Sequence, residues 1–383
     1  MNIFMISLDR GLLGKDPLGD VIARHCEYGK HVSCLDILVL SLKGYKEYSI
    51  SDRVTSYPVN AKNKFTLPLE AYDLARSLFL KKKYDLIVTQ DPYIAGWIGL
   101  RLKRKSKTKL LVHLHGDFLD NKYWVSEKPI NWFLLQLGKY ILTKCDAIRL
   151  MSAGQKTKLE KYKKFHLKNK IVKVISTPVD VRRFVNYNNH EYIQKVESQK
   201  TEKDNKVVLV VARKDQAKDF ETLCRAVHEV YDQGEKVELW LVGNYSEAEC
   251  KKLPLPPDLP IKCFGRIDTL DLPAYYYVSS LVVLTSTAES FGKVFVEANA
   301  CRKAVVATKT TGAQEVIQDG YNGFLVPIKD YQALAEKIKY LIQHPKDLEK
   351  MGENGQKRAL EEFDGAKNTQ RIVDLWKEVI NKK

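Results

Sequence analysis

Short apolar runs recur along the first half of the chain, each followed by a polar or helix-patterned stretch. Asn2–Ser7, Leu35–Leu40, Asp85–Thr89, Leu110–His113, Ala147–Met151 and Ile171–Ile175 are too short for buried helices and read as strands. Leu69–Lys82 and Asn131–Cys145 lie between them with helical spacing. The pattern stops at Asn186–Lys206, which is polar and without periodicity and reads as part of a connector. A second alternation then begins, with strands at Val207–Val211, Val237–Val242, Ile261–Phe264, Leu281–Leu284 and Ala304–Ala307. Its helices are expected at Phe220–Gln233, Leu272–Val278 and Gly292–Ala300. Alternation of this kind marks a parallel sheet covered on both faces. The expected architecture is α/β, with two Rossmann-like, doubly wound domains facing each other across a cleft. The boundaries are 1–180, a connector at 181–206, and 207–367. Ligands of such sheets bind at the carboxyl ends of the strands, so the cleft is the expected site. A last amphipathic helix, Asn368–Ile380, carries Ile372, Val373, Leu375, Trp376 and Val379 at helical spacing.

The 383 residues suffice for two ordinary domains, and 44% hydrophobic with 29% charged residues is a globular composition. No apolar run approaches the ~18 residues that suggest a membrane span. The opening MNIFMISLDR has no charged segment leading into a long apolar one, so a cytoplasmic protein is expected. The seven cysteines are scattered and never spaced C-x-x-C, which argues against a disulfide framework or a zinc site and for reduced, mostly buried thiols.

Charge changes the picture more. The net +16 is uneven: residues 1–180 hold 32 Lys/Arg against 17 Asp/Glu, whereas residues 181–383 hold 31 against 30. The first half therefore carries nearly all the excess and is expected to meet something anionic. Its cations cluster in Lys81–Lys83, Arg101–Lys109 and Lys156–Lys173, near Tyr123, Trp124, Trp132, Phe133, Tyr162 and Phe165. A solvated lysine-rich surface, an anionic membrane and nucleic acid are the readings of this pattern. No zinc-finger, RNP or KH-type motif accompanies it, so nucleic acid is set aside, and peripheral attachment to an anionic membrane is the expectation carried forward.

The candidate chemistry lies in the second half. The strand Leu281–Leu284 ends in a polar loop, Thr285–Ser290, which leads into a helix near Phe291–Gly292. Gly292 lets backbone approach a ligand closely, and the first N–H groups of the helix point outward as anion donors. Glu289 stands before the helix and Glu297 eight residues later inside it, so a rise of ~1.5 Å per residue separates the two carboxylates by roughly 12 Å along the axis. That span suits a ligand with a sugar at one end, a diphosphate between and a ribose at the other. Arg213 and Lys218, after the strand Val207–Val211, are two cations at a strand end, suited to a diphosphate. In the first half His115 lies in the loop that follows Leu110–His113, whereas His113 should point into packing.

The run Glu289-Ser290-Phe291-Gly292-Lys293 through Glu297-Ala298 resembles the E-x7-E motif of retaining glycosyltransferases of family 4, which have the GT-B fold. The likeness continues through Thr311–Ile317 and Asp319–Pro327, and upstream through Phe264–Ile267 and Leu272–Tyr276. It is tight over Val207–Val326 and patchy over Asn2–Phe184, where Asp91-Pro92, Ser152, Pro178–Asp180 and Phe184 match as fold markers. The resemblance implies transfer of a sugar from a nucleotide diphosphate sugar, UDP-sugar favoured over GDP-sugar, with retention, no metal and no further cofactor. It implies that Glu297 holds the ribose and Glu289 the sugar hydroxyls, while Arg213 and Lys218 neutralise the diphosphate. Ser290, Phe291, Gly292 and Lys293 line the donor, Arg266 and Ile267 lie by the base, and His115 contacts the sugar near the anomeric centre. Relatives carry a Gly-Gly pair after the first strand; here Gly19 stands nearest that place. Relatives also carry Lys-Gly where this chain has Lys218-Asp219. In GT-B enzymes the terminal helix crosses back onto the first domain, which is the expectation for 368–383. With the charge pattern, the expected acceptor is a lipid-linked glycan or another membrane-associated hydroxyl, as in glycan and polysaccharide assembly, on the inner face of the cell membrane. A soluble acceptor, a GT-B nucleotide-sugar 2-epimerase and a non-catalytic basic binding protein are the alternatives.

Overall fold

The computed structural model describes residues 1–15, 20–250 and 252–382. The chain divides into two compact units. Unit 1 comprises Met1–Asp120, Lys128–Ser176 and Lys367–Lys383; unit 2 comprises Asn121–Glu127 and Thr177–Ala366.

Unit 1 is built on eight strands: β1 (Asn2–Ser7), β2 (Cys34–Val39), β3 (Tyr48–Ser51), β4 (Val54–Pro58), β5 (Leu86–Thr89), β6 (Lys109–Leu114), β7 (Ala147–Leu150) and β8 (Ile171–Val174). They lie in the order β3-β4-β2-β1-β5-β6-β7-β8, parallel except for the β3–β4 pair. Strands buried on both faces need no alternation, which is why β1, β5 and β6 are legible as plain apolar runs. The β3–β4 hairpin is half-exposed and short of apolar residues, so periodicity does not reveal it. Ile3, Met5, Ile37, Val88 and Leu111 pack into one core with Ile372, Val373, Leu375, Trp376 and Val379 of the terminal helix, Gly365–Asn381. Lys109 donates to the carbonyls of Val379, Ile380 and Lys382, placing a cation at that helix's negative end.

Unit 2 has six parallel strands: β9 (Lys206–Val211), β10 (Val237–Val242), β11 (Ile261–Cys263), β12 (Leu281–Leu284), β13 (Val305–Thr308) and β14 (Gly323–Val326). Their order is β11-β10-β9-β12-β13-β14. From β9 the chain steps outward through β10 and β11, then returns to the other side of β9 as β12. The order therefore reverses between β9 and β12, and the loops leaving these two strands part on either side of the switch point. Val208, Val210, Leu239, Leu241, Val283 and Val306 form the core with Leu223 and Val227 of the helix Phe220–Asp232 and Leu334 and Ile338 of the helix Tyr331–Gln343.

Two expectations differ from the structure. Residues 181–206 are not a bare connector: they contain the helices Val181–Val185 and His190–Glu197 and belong to unit 2. Val181, Phe184 and Val196 are their buried anchors, and helices of 5 and 8 residues are too short to show a period. The cysteines are not all reduced either. Cys250 and Cys263 form a disulfide with Cα atoms 6.5 Å apart, because the short helix Glu247–Cys250 packs beside β11. A separation of 13 residues carries no hint of that adjacency.

Candidate active site

The loops after β9 and β12 are joined at the switch point of unit 2. The Thr287 N–H donates to the Ala217 carbonyl at 2.8 Å, and the Thr285 hydroxyl donates to the carbonyls of Lys218 and Asp219 at 2.8 and 3.0 Å. These bonds bring Lys218 to Glu289: Nζ lies 2.7 Å from the carboxylate Oε2 and 3.3 Å from the Ser286 hydroxyl. Both side chains are about one-fifth exposed, so the pair is shielded but open on one side. Lys218 closes a 3-10 turn, Gln216–Lys218, and Asp219 follows it with φ +43°, in the left-handed region. That is the conformation glycine adopts without cost, and Asp is among the few other residues that tolerate it. The turn is therefore kept although Asp219 stands where glycine is usual, with the Asp219 carboxylate accepting from the Thr222 hydroxyl at 2.7 Å. Arg213 is exposed in the same loop, just beyond β9.

Beyond Glu289 the loop continues through buried Ser290 and Phe291 to Gly292, and the helix begins at Lys293 and runs to Ala300. Gly292 caps it with φ +80°, and a Cβ there would fall 2.3 Å from the Phe295 ring. Both the backbone and the space require glycine. Only the stretch from Lys293 to Glu297 is helical, so helical rise does not set the Glu289-to-Glu297 span. Glu297 is 7% exposed and its Oε2 accepts from the buried Tyr276 hydroxyl at 2.9 Å. Burial, and then the Glu297 charge, push the Tyr276 phenol well above its ordinary range, so it stays protonated as a donor. Tyr276 thereby fixes the carboxylate, a role its place in a run of three tyrosines did not reveal. The Phe264–Ile267 stretch follows β11, its Phe264 ring packed 4.8 Å from Trp240 and 4.9 Å from Tyr275. Within it Arg266 is exposed and Ile267 half-buried. The Thr311 hydroxyl and Gly312 N–H both donate to the Glu289 carbonyl, at 3.0 and 2.8 Å, a second support that sequence reading missed.

In unit 1, β6 ends at Leu114 and His115 stands half-buried in the loop beyond it. His113 is fully buried, with its Nδ1 3.3 Å from a guanidinium nitrogen of buried Arg149. Burial first and Arg149 second hold both imidazoles well below their ordinary range, so both are neutral near pH 7. Gly19 lies outside the described residues. The other sequence-predicted residues thus fall into two groups: Arg213, Lys218, Arg266, Ile267, Ser290, Phe291, Gly292, Lys293, Glu289 and Glu297 in unit 2, and His115 in unit 1. No helix among the described residues is long and apolar enough to cross a membrane.

Known proteins match along most of this length. The family model "Glycosyl transferases group 1" matches residues 192–358, and the model "Glycosyltransferase Family 4" matches residues 35–183. An uncharacterized glycosyltransferase of Methanocaldococcus jannaschii is 27% identical over 335 residues, 85% of each chain. Among solved structures, sucrose-phosphate synthase from Thermosynechococcus elongatus superposes with a TM-score of 0.84 at 21% identity, covering 99% of both chains. HepE from Anabaena, solved in complex with UDP-glucose, superposes with a TM-score of 0.74 at 21% identity, covering 99% of this chain and all of its own.

Proposed function

Because this chain is a family 4-type glycosyltransferase with the GT-B fold, we propose that it is a retaining enzyme that moves a hexose from a UDP-sugar to a hydroxyl of a lipid-linked glycan. The observation that carries the donor half is the joining of Lys218 to Glu289 at the switch point, with Glu297 fixed by Tyr276 eight residues further on. In this reading Glu297 accepts hydrogen bonds from the ribose hydroxyls, while Arg213 and Lys218 face the diphosphate in place of a metal ion. Glu289 and Ser290 bind sugar hydroxyls. Lys293 and the N–H groups about Phe291–Gly292 add contacts to the anion, and Arg266 and Ile267 border the base. As the anomeric C1–O bond breaks, its electron pair stays on the diphosphate, whose charge the two cations stabilise. The departing diphosphate oxygen takes the proton of the acceptor hydroxyl, which attacks C1 from the same face, so the configuration is kept. His115, as a neutral imidazole, acts near the anomeric centre. UDP is favoured because HepE, which shares the fold, was solved with UDP-glucose. Incubation with UDP-glucose and no acceptor tests the class of reaction: a transferase releases UDP slowly at most, whereas conversion to the 2-epimer would contradict the reading.

The acceptor half rests on unit 1. Ile130, Trp132 and Phe133, at the start of the helix Pro129–Lys144, are each more than half exposed. That helix packs on the helix Ile94–Ser106, whose last turn carries Lys103, Arg104 and Lys105. Aromatic rings beside cations suit the headgroup region of an anionic bilayer, where each cation contributes ~1 kcal/mol. Attachment to the inner face of the cell membrane follows from this reading. Sedimentation with vesicles checks it: the protein is expected on phosphatidylglycerol vesicles and not on phosphatidylcholine alone, with binding reduced by Trp132→Ser. Equal partitioning onto both, or none onto either, would sink the membrane assignment.

A further inference from the structure

The loop that carries His115 is held from one side by a single helix. That helix, Ala153–Glu160, follows β7, which pairs with β6 in the sheet, and it starts from a Ser152 cap. In its first turn Gln155 is only 4% exposed, and its amide is fully engaged with backbone. Oε1 accepts from the Met151 N–H at 2.8 Å, and Nε2 donates to the Leu114 carbonyl at 3.1 Å and to the Gly116 carbonyl at 2.9 Å. The two carbonyls belong to the residues on either side of His115. One turn further along the helix, Lys158 Nζ contacts both carboxylate oxygens of buried Asp117, at 2.8 and 3.0 Å. Residues 114, 116 and 117, which flank His115, are thus tied to one helix face.

We propose that Gln155 is the positioning residue for His115, holding the peptide groups on both sides of it so that its imidazole meets the substrate in one orientation. The inference rests on the assignment of His115 made above. The loop needs such a hold at Gly116. Gly116 is exposed, with nothing within 4 Å of where a Cβ would lie, so packing does not restrain it, and glycine has the widest choice of backbone states. Only a side-chain amide carries two donors and an acceptor on one planar group, which is what two carbonyls and one N–H require. A carboxylate of equal size keeps the bond from Met151 but has no hydrogens for Leu114 and Gly116, and a thioether makes none of the three. His113 gives a second support, its ring 5.6 Å from that of His115 and itself fixed by Arg149.

Steady-state kinetics with UDP-glucose on His115→Ala, Gln155→Met, Gln155→Glu and the double variant His115→Ala/Gln155→Met test this, with thermal unfolding to confirm that each is folded. Gln155→Met is expected to lower kcat by about tenfold or more while leaving the donor KM within about twofold, because it misplaces a group needed in the transition state. In the His115→Ala background it is expected to do almost nothing further, since the residue it acts through is gone. Gln155→Glu, the same size and with one bond kept, should lower kcat similarly and serves as the test if Gln155→Met does not fold. An unchanged kcat in the Gln155 variants beside an impaired His115→Ala would overturn the positioning role alone. So would a Gln155 effect that persists in full without His115. An unimpaired His115→Ala would instead overturn the assignment of His115, and the positioning role with it.

Discussion

Lys218→Ala is expected to lower kcat/KM by about a thousandfold, the size of effect seen when one preorganised donor to a developing oxyanion is removed, about 3–4 kcal/mol. The ammonium is placed by a frame that does not depend on it. The carbonyls of Lys218 and Asp219 accept from the Thr285 hydroxyl, the Ala217 carbonyl accepts from Thr287, and Asp219 already occupies its left-handed turn. Truncation at Cβ therefore removes the charge and leaves the loop. It also removes the Glu289 partner at 2.7 Å, but that carboxylate is about one-fifth exposed and keeps access to water, so the loss of stability should stay near 1 kcal/mol. Kinetics and thermal unfolding on the same preparation check both halves. A kcat/KM within threefold of wild type would remove Lys218 from the reaction.

Gly312→Ala is expected to cost about a hundredfold in kcat, although the residue is assigned no contact with substrate. An added Cβ would stand 2.4 Å from the Phe291 nitrogen, 2.7 Å from its Cα and 2.7 Å from the Ser290 carbonyl carbon. These are backbone atoms, so no rotamer change relieves the clash and the loop itself must move. The moving segment bears Glu289, whose carbonyl accepts from the Gly312 N–H, and the N–H groups that begin the helix at Lys293. A displacement near 1 Å at a reacting centre is enough for a loss of about that size, and overpacking of this kind costs some 1–3 kcal/mol of stability. Gly320→Ala is the control. Gly320 has φ +76° but open space around it, so strain should lower stability by about 1 kcal/mol with kcat unchanged. Equal kinetic behaviour of the two variants would show that close packing at Gly312 does not set the loop.

The contrast between these residues marks how far the sequence could be read. Strand Leu281–Leu284, the loop to Ser290 and the helix to Ala300 are legible because their signals are local: an apolar run, a polar break, a glycine at a cap. Arg213, Lys218 and Glu289 stand out because their charge lies in loops that leave strand ends, where ligands bind in such sheets, and Glu297 because it follows Glu289 at the spacing of a known motif. Gly312 and Tyr276 fall in stretches that carry the family likeness, but what each supports is not legible in the sequence. One is 23 residues beyond Glu289, the other 21 before Glu297, and only the folded sheet brings each pair together. Gln155 reads as an ordinary polar residue of a short helix until its two acceptors are seen to flank His115. The Cys250–Cys263 bond and the helices within 181–206 were missed for a related reason, since neither leaves a periodic or spaced signature.

In the proposed function, unit 2 binds a nucleoside diphosphate sugar with its ribose on Glu297. Calorimetric titration of UDP, GDP and ADP into the wild-type protein and into Glu297→Gln tests it most directly. One of the three, UDP first, should bind the wild type, and Glu297→Gln should weaken that binding about tenfold or more, as expected for losing charge-assisted hydrogen bonds of about 1.5–3 kcal/mol. Binding of none of the three, or an affinity that Glu297→Gln leaves unchanged, would remove Glu297 and unit 2 from donor binding.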